Sequence, residues 1–111
     1  MPTFSAFDIV TVPFPYTDRP VRQRRPAMVV SQSEHERATG LLWVVMITAA
    51  GNRTWPGDVH LSNPRRAGLS IPSVVRPAKI ATIEATQASR IGSVVPAERR
   101  AVQTAIRAIL G

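Results

Sequence analysis

Three stretches of the chain carry residue types suited to holding a phosphate. The first is Arg22-Gln23-Arg24-Arg25-Pro26, which leads into a buried strand. Arginine offers a planar fork of donors that matches phosphate, where lysine offers a point charge. Arg25 is the last residue before the expected strand, so the scaffold would hold it more firmly than Arg22 or Arg24. The second stretch is Thr48-Ala49-Ala50-Gly51-Asn52, which ends the most apolar segment. A threonine hydroxyl at a strand end, facing a loop, is placed to bond a phosphate or ribose oxygen. The third is Ser73-Val74-Val75-Arg76-Pro77-Ala78-Lys79. Each also has an inert reading: a solvated basic loop, a good β former closing its strand, and a bulged strand whose basic residues meet water. Spacing alone does not show that the three converge.

The charge balance favours a polyanionic partner. Fourteen basic residues face seven acidic ones, a net charge of +7, and all but Lys79 of the basic residues are arginine. High-GC coding accounts for arginine over lysine, but not for the excess over acid, which suits nucleic acid or an acidic protein segment. Cysteine is absent, which excludes a disulfide scaffold, a thiolate zinc site and a cysteine nucleophile, and fits a reducing cytoplasm. No HExxH, phosphate-loop, dinucleotide or nucleophile-elbow motif occurs. His35 and His60 lack metal spacing, so neither a metal nor a cofactor is expected. The apolar runs are too short to span a membrane, and the opening residues lack the pattern of a signal peptide.

The 111 residues suit one domain, 1–111. A chain this long buries roughly 65% of its unfolded surface, enough for a core without staples. Ten prolines keep the segments short. Strands are expected over Phe7–Val12, Pro26–Ser31, Leu41–Thr48, Asp58–Leu61, Ser73–Arg76, Lys79–Glu84 and Ser89–Val95, with Pro77 separating the fifth from the sixth. Pro13–Arg24, Ala49–Gly57 and Asn63–Pro72 read as loops, and polar Gln32–Gly40 as room for a helical turn. From Pro96 onward, Val102, Ala105, Ile106, Ile109 and Leu110 form one helical stripe. Pro96 suits the first helical position, but Val95 is a poor cap. The fold class is therefore mainly β: a small, partly closed barrel with a C-terminal helix.

At these residues the chain resembles the MazF/PemK toxin endoribonucleases of type II toxin–antitoxin systems. The likeness runs through Phe7-Asp8-Ile9-Val10, Val12-Pro13-Phe14-Pro15, Arg25-Pro26-Ala27-Met28-Val29-Val30-Ser31, Val45-Met46-Ile47-Thr48, Val74-Val75-Arg76, Lys79-Ile80 and Ile91-Gly92, then the final helix. It implies an SH3-like, partly open barrel, a homodimer, and metal-independent, sequence-specific cleavage of single-stranded RNA. By the resemblance Arg25 falls on the catalytic arginine and Thr48 on the catalytic Ser/Thr. Arg76 falls on a basic residue linked to substrate contact, and Arg22, Arg24, Asn52, Arg53, Trp55 and Lys79 are further RNA-binding candidates. Two departures stand out. Pro20-Val21-Arg22-Gln23-Arg24 lacks an acid that many members carry before the arginine, and Ala78 replaces an aspartate.

RNA carries its own nucleophile, the 2′-OH. An enzyme must orient it, accept its proton, stabilise charge on the phosphate oxygens and protonate the leaving 5′-oxygen. Arg25 suits the charge and Thr48 a phosphate oxygen, while the base is an acid near the groove, a water or the substrate itself. Trp55 is a stacking platform or, equally, a tryptophan at the core's edge. A cytoplasmic antitoxin with an acidic, disordered segment would occlude the same surface. Two competing readings are a non-catalytic toxin of this fold that binds a protein such as DNA gyrase, as the related CcdB group does, and a basic RNA-binding barrel without chemistry.

Overall fold

The computed structural model describes residues 3–15 and 22–111. Among the described residues, six strands form one antiparallel sheet, in the order β4-β5-β3-β2-β1-β6. They are β1 (Ile9–Pro15), β2 (Arg22–Val29), β3 (Leu41–Ala49), β4 (Val59–His60), β5 (Ser73–Glu84) and β6 (Ser89–Gly92), with helices α1 (Ser33–Thr39) and α2 (Pro96–Leu110). The sheet curves without closing and α2 packs on it: the partly open, SH3-like barrel with a terminal helix that the sequence predicts.

Alternation along the strands builds two cores, because successive side chains face opposite sides of a sheet. Val10 and Val12, Ala27 and Val29, and Leu42, Val44 and Met46 gather with Phe4 and Ile83 on one face. Ile9, Met28, Val45, Ile47 and Val75 gather on the other, under Val102 of α2. β3 is buried on both faces, which explains its continuous apolar run.

Several boundaries differ from the sequence reading, mostly through proline. The stretch 13–24 is not a long loop: β1 and β2 continue as a hairpin, pairing Pro13 with Arg24 and Pro15 with Arg22. Its middle, residues 16–21, lies outside the described residues. β1 meets β6 only over Ile9–Thr11, and β2 meets β3 only over Ala27–Val29. Pro13, Pro15 and Pro26 thus sit where the ladder is one-sided, and no second partner misses their N–H. Arg25 accordingly lies inside β2, not just before it. Pro77 does not split a strand either. β5 pairs Arg76 with Met46 and Ile80 with Val45, so residues 77–79 form a bulge in one continuous strand.

The helices also differ in detail. α1 is a full helix, closed by Gly40 in the left-handed region at φ 73°. α2 starts at Pro96 with no side-chain cap from Val95. Only the first part of its apolar stripe is covered: Val102 is fully buried, while Ile109 and Leu110 at its end are 57% and 66% exposed. The barrel does not extend beneath the last turn.

Candidate nucleic-acid interface

β2 and β3 stop pairing at Ala27 and Met46. Continuing that register by two residues sets Arg25 across from Thr48. The strands fork there instead, and the fork opens into a groove of about 640 Å³ lined by both residues. Alternation places Arg25 on the same face as Ala27, and Thr48 on that of Met46. Both line the one groove, together with Ile47 and Leu69 from the other core. Arg25 and Thr48 are each half-buried. Among the described residues, nothing bonds the Arg25 guanidinium.

The other walls come from two loops. Asn52, in the turn after β3, lines the groove and donates its amide Nδ2 to Thr48 Oγ1 at 2.6 Å. Leu69, Ser70 and Ile71 form the opposite wall. Gly68 and Gly92 fix that wall against β6. Gly68 has φ 80°, and a Cβ there would run into the Ile91 carbonyl, while one on Gly92 would strike the backbone of Ala67. Only glycine lets the two segments approach this closely.

The structure separates the remaining candidates. Arg24 reaches the groove, but its guanidinium is turned along β1, with Nη2 donating to the Thr11 carbonyl at 2.7 Å and to Thr11 Oγ1 at 2.9 Å. The side chain of Arg22 lies outside the described residues. Arg76 does not line the groove. It is buried, donating Nε to Asp58 Oδ1 at 3.0 Å and Nη2 to Asp58 Oδ2 at 2.9 Å and to the Arg53 carbonyl at 2.7 Å. Its guanidinium carbon stands 4.5 Å from the centroid of the Trp55 ring. Arg76, expected as a substrate contact, is thus bonded within the protein and away from the groove, and it covers one face of Trp55. Arg53 is exposed beside this cluster, and Lys79 is exposed on the β5 bulge; neither lines the groove.

Asp58 is the residue the sequence reading missed. It faces Arg76 in the continued β4–β5 register, set by His60 with Val74 and Val59 with Val75. Its signal was faint: it is the only acid between Glu36 and Glu84. The hydrogen bonds from Arg76 hold its carboxyl below the ordinary 3.8, against the opposing effect of burial. The same pairing holds the Arg76 guanidinium protonated above its usual range. Ser70 and Ile71 were also missed, since nothing in a Ser-Ile pair between prolines and arginines marks a groove wall. Among the described residues, no three His, Asp or Glu side chains gather as metal ligands.

A family model described as the PemK-like, MazF-like toxin of type II toxin–antitoxin systems matches residues 5–110. The chain belongs to this family. Its fold is shared with MazF from Deinococcus radiodurans, at 22% identity and a TM-score of 0.75, covering 96% of each chain. A MazE–MazF complex from the same organism matches at 20% identity and a TM-score of 0.77, covering 96% of this chain and 95% of that one. An endoribonuclease in complex with its cognate antitoxin, from a mycobacterial species, matches at 21% identity and 0.74, covering 100% and 96%. Comparison with curated proteins finds no match. As a PemK/MazF toxin, the chain is one half of a toxin–antitoxin pair.

Proposed function

We propose that this toxin is an endoribonuclease that cleaves single-stranded messenger RNA in the cytoplasm, at sequences selected by the groove. The reading is carried by one observation: Arg25 and Thr48 line the same groove, at the fork of β2 and β3. A guanidinium that no described residue bonds and a half-buried hydroxyl suit the oxygens of a phosphodiester.

The reaction needs no enzyme nucleophile. The 2′-oxygen attacks phosphorus, the bond from phosphorus to the 5′-oxygen breaks, and a 2′,3′-cyclic phosphate and a 5′-hydroxyl result. A base takes the 2′-hydroxyl proton as the 2′-oxygen attacks, and an acid returns one to the leaving 5′-oxygen; among the described residues lining the groove there is no carboxylate or imidazole. Arg25 stabilises the charge that builds on the non-bridging oxygens, and the Thr48 hydroxyl binds one of them. DNA lacks the 2′-OH and is not cut.

The antitoxin, through an acidic segment that folds on binding, occupies the same positive surface and blocks RNA. The toxin acts as a homodimer, supported by the apolar side chains that α2 leaves exposed. Incubation of mixed-sequence RNA with the purified protein in chelator tests the nuclease reading. Fragments with cyclic phosphate ends are expected. Arg25→Ala and Thr48→Ala each lower the rate by about 10²–10³. Salt-sensitive binding with intact RNA would leave a binding module instead.

A further inference from the structure

The Thr48 hydroxyl already has a partner. A hydroxyl has one proton to donate and two lone pairs to accept with. Asn52 Nδ2 fills one lone pair at 2.6 Å, so the proton has to point away from Asn52. The backbone builds this contact. The Asn52 N–H closes a turn onto the Ala49 carbonyl at 3.1 Å, and the Ala50 N–H donates to the Pro72 carbonyl at 3.0 Å. The turn after β3 is thereby tied to the segment that enters β5, and both Thr48 and Asn52 line the groove.

We propose that Asn52 is a positioning residue that sets the polarity of Thr48. By donating into Oγ1, it turns the hydroxyl proton towards a non-bridging oxygen of the scissile phosphate. This rests on the nuclease reading above. Thr48 forms no covalent bond and transfers no proton; it donates a hydrogen bond that strengthens as charge builds on the phosphate. An unpinned threonine hydroxyl spends part of its time turned elsewhere, whereas a pinned one needs no reorganisation when the charge appears.

The polarity makes the proposal testable. Asn52→Asp replaces a donor by a group that only accepts, so the Thr48 proton turns to residue 52 and away from the phosphate. Asn52→Ala removes the partner but leaves the proton free to find the phosphate. Single-turnover cleavage of a mixed-sequence RNA, with protein in excess and varied, separates the maximal rate constant from half-saturation. Asn52→Asp is expected to lower the rate constant about 100-fold and Asn52→Ala about 10-fold. Half-saturation with Asn52→Ala stays within about twofold, and Asn52→Gln restores most of the rate. In a Thr48→Val background, where no hydroxyl remains to be turned, Asn52→Ala costs no more than about twofold. That background also isolates the electrostatic effect of the new carboxylate in Asn52→Asp.

The positioning role is overturned if Asn52→Ala costs as much without the Thr48 hydroxyl as with it, or if Asn52→Asp cleaves like the parent. In both cases an active parent keeps the nuclease reading intact. Intact RNA with the parent protein removes the nuclease reading, and the proposal with it.

Discussion

Arg25 and Arg76 are the same residue type put to opposite uses. Arg76 is consumed by Asp58, the Arg53 carbonyl and the Trp55 ring, and the cluster braces the segment that follows Asn52. Arg25 lines the groove, and no described residue bonds its guanidinium. The brace carries a pH signature. Because Arg76 holds the Asp58 carboxyl below 3.8, the folded protein keeps the carboxylate charged at pH values where the unfolded chain has taken up a proton. The contribution to stability is complete above the unfolded value and is lost as the pH falls through the folded one. Asp58→Asn therefore lowers the melting temperature at pH 7, and its gap from the parent narrows as the pH drops below 3.8. Melting curves of both proteins across that range check this; a gap independent of pH would contradict it.

At the scale of elements, buried carboxylates hold segments that have few other anchors. Glu36 of α1 accepts the backbone N–H of Thr3 at 2.9 Å and of Phe4 at 2.9 Å. This seats Phe4 in the first core. Glu98 of α2 does the same for Ser62, accepting its N–H at 2.8 Å, and so ties the helix to the chain after β4. Removing such an acceptor leaves buried donors unpaired, a cost of about 1–3 kcal/mol. Glu36→Ala is expected to lose that much in urea unfolding, with faster amide exchange at Phe4. Unchanged exchange at Phe4 would mean that core packing alone seats the segment.

The whole molecule combines a net charge of +7 with apolar side chains that its own fold does not cover. Ile109 and Leu110 close α2 at 57% and 66% exposure, after a stripe whose start is fully buried. A second protomer on this end of the helix would complete the stripe. If the proposed homodimer forms through this end of the helix, replacing both residues with serine shifts dimer to monomer in sedimentation velocity without lowering the helix content. A dimer that survives the double replacement would move the subunit contact to another face.

Much of this protein is legible from local chemistry. The alternation of Ile9, Val10 and Val12, the apolar run of β3 and the helical stripe after Pro96 each mark an element that the structure contains, although Ile109 and Leu110 at the end of the stripe stay exposed. Lines of type and order also led to Arg25 and Thr48. What the sequence could not supply depends on which strand lies beside which. Proline is forbidden only where a neighbour demands its N–H, so the extent of β1, β2 and β5 follows from where each ladder ends. The fate of Arg76 follows from β4 pairing beside β5, which brings Asp58 to it from 18 residues away. The groove itself exists because β2 and β3 part after Ala27 and Met46. A residue's type fixes the bonds it can form, but only the packed sheet decides which partners come within reach and which donors are left for a ligand.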